Sequence, residues 1–194
     1  MELIFASQNP HKTKEIAAML PAALLVKSLA DIGFHDDIPE YGETLRENAA
    51  IKARGIWNLT KKNCFADDTG LMVDALNGEP GVHSARYAGE EKDAVRNMKK
   101  LLENMEHKAN RSAHFITVIC LILEGTECFF EGRLDGEIIE APMGTEGFGY
   151  DPVFRPVGME QTLAQLNAAE KNRISHRYLA IARMAEFLAA RLNF

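Results

Sequence analysis

Cysteine is scarce in this sequence. The three residues present, Cys64, Cys120 and Cys128, are odd in number and lack Cys-x-x-Cys spacing. That excludes a fully paired disulfide framework and a thiolate zinc site, and it points to a reducing compartment. Long apolar runs are also missing. The longest, around Phe115 to Leu123, is far below the ~20 residues a membrane-spanning helix needs. Nor is there a surplus of positive charge, since 22 lysines and arginines face 28 aspartates and glutamates, a net charge of −6. A protein that grips nucleic acid through many phosphates needs a basic face, so no nucleic-acid partner is expected. One small polyanion stays admissible where cations converge locally. Repeats, low-complexity tracts and linkers are absent too. Met1 to Ala6 is too short for a secretory signal,, and the expectation is a soluble, cytoplasmic protein with no membrane partner.

What is present is ordinary for a globular chain, with 46% apolar and 26% charged residues,. A length of 194 residues suits one domain, or two closely joined lobes sharing a core. Leu3 to Ala6 reads as a buried strand, broken by Ser7-Gln8-Asn9-Pro10 and followed by a helix over about Lys12 to Leu20,. A weak strand near Leu24 to Val26 precedes an acidic loop and a second helix over about Thr44 to Leu59. Cys64 to Ala66 reads as a strand running into a turn at Asp67-Asp68-Thr69-Gly70, with Leu71 to Val73 extended beyond it,. Glu90 to Met105 is amphipathic. Ala113 to Leu123 and Cys128 to Ile139 flank Glu124-Gly125-Thr126-Glu127 as a long hairpin,. Pro142 to Pro156 is loop-rich, and Ser175 is placed to cap a last helix reaching about Leu192,. The class is α/β, a mixed sheet with helices.

Five segments carry chemistry. Ser7 to Lys12 joins a strand to a helix, where backbone N–H groups favour a phosphate and where simple capping is the alternative. Glu40, Glu43, Glu47, Asn48 and Lys52 gather carboxylates suited to a hard ion such as Mg²⁺,, or form a solvated acidic loop. Asp67 and Asp68 crowd two carboxylates at the end of an apolar strand, so positive charge or metal is needed to keep both ionised. Asp68 is the stronger candidate for holding a metal or taking a proton from water, and an Asx turn is the plain alternative. Gly147 to Pro152 combines glycines that admit a close ligand with Phe148 and Tyr150, which can stack on a base,. Glu170-Lys171-Asn172 leads to Ser175-His176-Arg177, two potential cations at a helix start where the dipole disfavours them,.

Taken in order, six blocks resemble the inosine triphosphate pyrophosphatase (Ham1-like) family. They are Ser7-x-Asn9-x-x-Lys12; Glu43-Thr44 with Glu47-Asn48-Ala49-x-x-Lys52-Ala53; Ala66 to Leu71; Pro80-Gly81-Val82-x-Ser84-Ala85-Arg86-Tyr87; Gly147 to Pro152; and Ser175-His176-Arg177. The likeness spans nearly the whole chain. It implies one bilobed domain over 1–194, an elongated mixed sheet flanked by helices, and a substrate cleft between two lobes. It also implies Mg²⁺-dependent hydrolysis of noncanonical purine nucleoside triphosphates (ITP, dITP, XTP) to the monophosphate and pyrophosphate, by a homodimer. By position, Ser7, Gln8, Asn9, Pro10, His11, Lys12 and Lys52 face the phosphates, and Thr69 contacts substrate. Glu40 and Asp68 hold the metal, with Asp68 also the base; loop length leaves Glu43 and Glu47 open in place of Glu40. Phe148, Gly149, Tyr150, Asp151, Lys171, His176 and Arg177 surround the nucleoside. Thr69 stands where Ser is commoner, and Gln8 where many relatives carry something smaller.

Three rivals remain at this level. A HAD-type phosphatase wants Asp-x-Asp, whereas these acids are adjacent. A Maf-like pyrophosphatase would act on other modified nucleotides, and a non-enzymatic module would only bind them.

Overall fold

The computed structural model describes residues 1–21, 23–36 and 38–192. The strands are β1 (Glu2–Phe5), β2 (Leu25–Lys27), β3 (Cys64–Val73), β4 (Pro80–Gly81), β5 (Ser112–Leu123), β6 (Thr126–Ile138) and β7 (Phe154–Pro156). The helices are α1 (Pro10–Met19), α2 (Leu45–Thr60), α3 (Ala94–Asn104), α4 (Ala168–Ile174) and α5 (His176–Leu192). The sheet runs β2-β1-β3-β5-β6-β7, with β4 on β3. It is mixed, because β1 pairs in parallel with β2 and β3, whereas β3–β4 and β6–β7 are antiparallel. The chain forms two units. One holds Met1–Asp68, Thr117–Gly132 and the chain from Arg177 on; the other holds Thr69–Ile116 and Arg133–His176.

In the first unit the strand period of two sorts side chains onto two faces. Leu3, Phe5, Phe65, Ile119 and Leu121 pack with Ile16 of α1 and Ala180, Ile181, Met184 and Leu188 of α5. Their neighbours Ile4, Ala6, Cys64, Ala66, Cys120 and Ile122 pack with Ala49, Ala50, Ala53 and Ile56 of α2. Both faces are covered, which explains why these strands read as continuous apolar runs instead of alternating ones. Helix α2 starts at a capping box: Thr44 Oγ1 accepts from Glu47 N at 3.1 Å, and Glu47 Oε2 accepts from Thr44 N at 3.1 Å,.

The second unit has its own core. Leu71 and Val73 of β3 meet Leu101 of α3, Phe115 of β5, Ile138 of β6, and Tyr150, Phe154 and Leu163. Helix α3 begins at Ala94, later than the amphipathic pattern from Glu90 predicts. Asp93 caps it, its Oδ1 accepting from Val95 N at 2.9 Å and Arg96 N at 3.0 Å.

Three expectations need correction. Asp67-Asp68-Thr69-Gly70 is not a turn but the middle of β3, an uninterrupted ten-residue strand. Pairing with β1 before the segment, with β4 after it, and with the neighbouring β5 overrides the turn tendency of Asp and Gly,. The hairpin loop is only Glu124-Gly125, both at positive φ (51° and 81°), as two-residue loops prefer; Thr126 and Glu127 belong to β6. A short helix, α4, precedes the last one. Asn167 and Glu170 form its capping box, and Ser175 ends it with its N–H on Lys171 O at 2.9 Å.

Two glycines give opposite tests of this packing. A Cβ at Gly136 would run into the Arg155 carbonyl and the Phe154 ring, so Gly136→Ala is expected to cost about 1–3 kcal/mol. Gly55 lies inside α2 with its nearest obstacle, Ile38 Cγ2, at 3.7 Å. Gly55→Ala is therefore expected to stabilise by about 0.4–1 kcal/mol. Urea unfolding midpoints measure both.

Candidate active site

The centre of the first unit's polar chemistry is β3. Asp67 and Asp68 are consecutive, so the pleat sends them to opposite faces. Asp67 shares the side of Phe65, toward α1 and α5, and is wholly buried. Asp68 shares the side of Ala66, toward α2. Each carboxylate meets its own cations. Lys12 Nζ lies 3.1 Å from both Asp67 oxygens, and Arg177 Nε donates to Asp67 Oδ2 at 3.2 Å. Lys52 Nζ donates to Asp68 Oδ1 at 3.1 Å and to Glu40 Oε1 at 2.6 Å. Arg177 also holds Glu15 through Nη1.

The electrostatics follow from this sorting. Burial alone would raise the Asp67 carboxyl, but Lys12, Arg177 and Lys52 overcome it and hold the group well below the ordinary aspartate range. Asp68 goes the other way: burial, aided by Glu40, raises it against the pull of Lys52 and Lys12. One carboxylate is thus a fixed charge and its neighbour the better base. Lys52 is raised: burial lowers it, and the attraction of Asp68, Glu40 and Asp67 outweighs that. Lys12 is lowered, by burial first and then by repulsion from Lys52 and Arg177, although Asp67 opposes the shift. The cations here press on one another, a setting that a further anion relieves.

The Ser7–Lys12 segment is built as a helix cap. Asn9 Oδ1 accepts from His11 N at 3.0 Å and Lys12 N at 3.3 Å, Ser7 Oγ accepts from Asn9 N at 3.3 Å, and Pro10 opens the helix,. Gln8 reaches to the carbonyls of His35 and Asp36, at 3.3 and 2.7 Å. Of this segment it is Lys12 that the structure brings onto the β3 carboxylates. Among the three glutamates read as alternatives, Glu40 shares a cation with Asp68. Glu47 is engaged in the α2 cap, where its Oε2 also accepts from Glu43 N at 2.8 Å. Two carboxylates converging on one ammonium form a hard oxygen donor set, and Mg²⁺ fits such a set when phosphate and water complete its shell. Among the described residues no group of three or more His, Cys, Asp or Glu forms a preorganised cage.

The second unit assembles another group. Asp151 Oδ2 accepts from Lys171 Nζ at 2.7 Å and from Phe148 N at 2.8 Å. The Lys171 ammonium stands 4.8 Å from the centre of the half-buried Phe148 ring, within cation–π range. Gly147, at φ 73°, has the Asp151 carboxylate where a Cβ would sit, so only glycine fits. His176 stacks on Phe115 with ring centres 4.7 Å apart. Tyr150, read from sequence as a candidate for stacking on a base, has its ring buried in the core. Its hydroxyl donates to Ser84 O at 2.9 Å. Thr69, half-buried, follows Asp68 on β3.

Sequence reasoning missed Glu15 and gave Ser84 no role. Glu15 lies three residues after Lys12 on α1, a spacing that a solvated helix carboxylate shows equally well. The approach of α5 brings Arg177 to it.

Because the Asp67 carboxyl is depressed in the fold, its stabilisation is complete at neutral pH and fades as pH falls below about 4. Asp67→Asn leaves Arg177 and Lys12 short of a counter-charge and is expected to cost about 3–5 kcal/mol at pH 7, with the gap to wild type narrowing in acid. Glu2→Gln, which removes the half-exposed Glu2–Lys27 pair (3.1 Å), serves as control at less than about 1 kcal/mol. Chemical unfolding at several pH values measures both.

Comparison with known proteins identifies the family. Residues 3–187 match the model of the Ham1 family. A protein of Flavobacterium johnsoniae named dITP/XTP pyrophosphatase is 50% identical over 98% of this chain and 99% of its own length. The Ham1 protein of Staphylococcus aureus superposes with a TM-score of 0.89 at 38% identity, covering 98% of this chain and all of that one. A HAM1 protein from Coxiella burnetii gives 0.90 at 37% identity, covering 98% and 99%. The chain belongs to the Ham1 family.

Proposed function

We propose that this protein hydrolyses noncanonical purine nucleoside triphosphates, ITP, dITP and XTP, to the nucleoside monophosphate and pyrophosphate. The observation that carries the reading is the sorting of charge on β3, where Asp68 and Glu40 share Lys52 while Asp67 is locked to Lys12 and Arg177. The dITP/XTP pyrophosphatase name of the F. johnsoniae relative supports it. A cytoplasmic homodimer belongs to the same reading and rests on the family likeness.

Glu40 and Asp68 are the residues that would hold Mg²⁺. Bound there, the ion supplies Lewis-acid polarisation of phosphate oxygens and charge for the departing pyrophosphate. Asp68, whose proton affinity burial raises, orients the attacking water and takes its proton. The water oxygen bonds to the α-phosphorus as the bond from that phosphorus to its bridging oxygen breaks, and the electron pair leaves with pyrophosphate. Lys12 and Lys52 neutralise the charge that grows on the leaving side, with Ser7 to His11 lining the phosphates. Thr69 contacts substrate beside the base.

Phe148, Gly149, Asp151 and Lys171 form the nucleoside-facing group, and Tyr150, read with them from sequence, lies beneath them in the core. A donor from His176 or Arg177 to the 6-oxo oxygen selects hypoxanthine and xanthine, because adenine presents an amine there. A site built around such a hydrogen bond rejects the mismatched base strongly, since its own buried group is left unpaired.

The primary test incubates the protein with ITP, XTP, GTP, dTTP and Mg²⁺ and resolves pyrophosphate from phosphate. Pyrophosphate from ITP and XTP is expected; inorganic phosphate, or a preference for dTTP, refutes the proposal. Asp68→Asn should lower kcat by about 10²–10⁴ with unfolding unchanged within about 1 kcal/mol. Chelation with EDTA should abolish turnover, and added Mg²⁺ should restore it.

A further inference from the structure

The Pro80–Tyr87 block takes no part in the chemistry above, yet Ser84 within it touches two segments that do. Ser84 is 8% exposed. Its Oγ accepts from Leu71 N at 2.9 Å and donates to Gly81 O at 2.6 Å. Leu71 and Gly81 are already partners in the β3–β4 ladder, so the hydroxyl clamps a strand just beyond Asp68 and Thr69. The Ser84 carbonyl accepts from Tyr150 Oη at 2.9 Å. A hydroxyl has one proton, and here Gly81 receives it. Ser84 is therefore a tether and not a nucleophile.

Tyr150 lies between Phe148 and Asp151. Burial raises its hydroxyl above the ordinary tyrosine value, so it remains a neutral donor. Gly147 and Gly149, both at positive φ (73° and 66°), let the backbone bend around it. The loop thus has two anchors. Asp151 ties it to itself and to Lys171, and Tyr150 ties it to Ser84 and so to β3. A phenylalanine would bury the same ring; what the hydroxyl adds is a fixed depth and direction for the loop that carries Phe148.

We propose that Ser84 is a positioning residue for substrate recognition, setting the Phe148–Asp151 loop against the β3 segment that follows Asp68 through its paired bonds to Leu71 and Tyr150. This rests on the function proposed above, and the test separates the two. Tyr150→Phe deletes only the tethering O–H. Amide exchange across 147–151 is expected to quicken about tenfold or more while exchange across α2 stays unchanged. KM for ITP should rise by about 3–10-fold, well beyond any fall in kcat, and the ITP-to-GTP ratio of kcat/KM should drop. Ser84→Ala removes the bonds to Leu71 and Gly81 but keeps the carbonyl that Tyr150 bonds. It should speed exchange at Leu71 with a smaller rise across 147–151, whereas Ser84→Thr, which keeps the hydroxyl, should restore wild-type exchange. Exchange unchanged at 147–151, or quickened uniformly through the second unit with ITP and GTP losing the same factor, would overturn the proposal. If the wild-type protein releases no pyrophosphate from ITP, the proposed function falls, and the exchange data still decide the tether.

Discussion

Asp67 and Asp68 leave β3 on opposite faces, and each meets a cation brought by a different layer of helices. Two adjacent carboxylates on a buried strand repel one another and lose hydration, so their ionisation depends on compensation from both sides. Helices α1 and α5 supply Lys12 and Arg177 to one face, and α2 supplies Lys52 to the other. The same interleaving packs the apolar core, because the strand residues around the pair divide between the same helices. Charge pairing and hydrophobic packing are one arrangement here. A buried ion pair is weak evidence for net stability, but it fixes which way each carboxylate points.

That division gives neighbouring groups different chemistry. Asp67 is saturated by cations and acts as a permanent negative charge that orients Lys12 and Arg177. Asp68 is buried with fewer cations and a second carboxylate nearby, so its proton affinity rises. Environment separates a carboxylate held ionised from one with raised proton affinity, as expected wherever two titratable groups share a site,. Glu15 extends the alternation through Arg177, giving a chain of opposite charges from α1 through α5 to the strand and back to α1.

The second unit treats its polar groups differently. Asp151, Lys171 and the Phe148 N–H satisfy one another locally, and the glycines of the loop make room for that closure. Tyr150 is spent on the fold, its ring in the core and its hydroxyl on Ser84. The exposed chemistry of the loop falls to Phe148, backed by the Lys171 ammonium.

How much of this is legible in the chain alone depends on range. Apolar runs identify β1, the start of β3, and β5, since strands covered on both faces carry no alternation to misread, whereas the partly exposed β6 is legible only as the second arm of the hairpin. Helix α2 is legible over about Thr44 to Leu59, close to its observed Leu45–Thr60, because the spacing of its buried face is a local pattern. The ordered blocks identify the family, and the likeness nominates Lys12, Glu40, Lys52, Asp68, Phe148 and Lys171. Asp67 to Gly70 misleads as a turn, because Asp and Gly favour turns locally, whereas the place of β3 inside the sheet keeps the segment extended. Likewise, Tyr150 reads as a free aromatic until the core closes over it. Sequence determined which residue types are present and in what order. The tertiary structure alone decided that Asp67 meets Arg177 across 110 positions and that Asp68 meets Lys52 across 16. Which carboxylate is held ionised and which gains proton affinity is set by the helices packed on each face, and no local pattern encodes that.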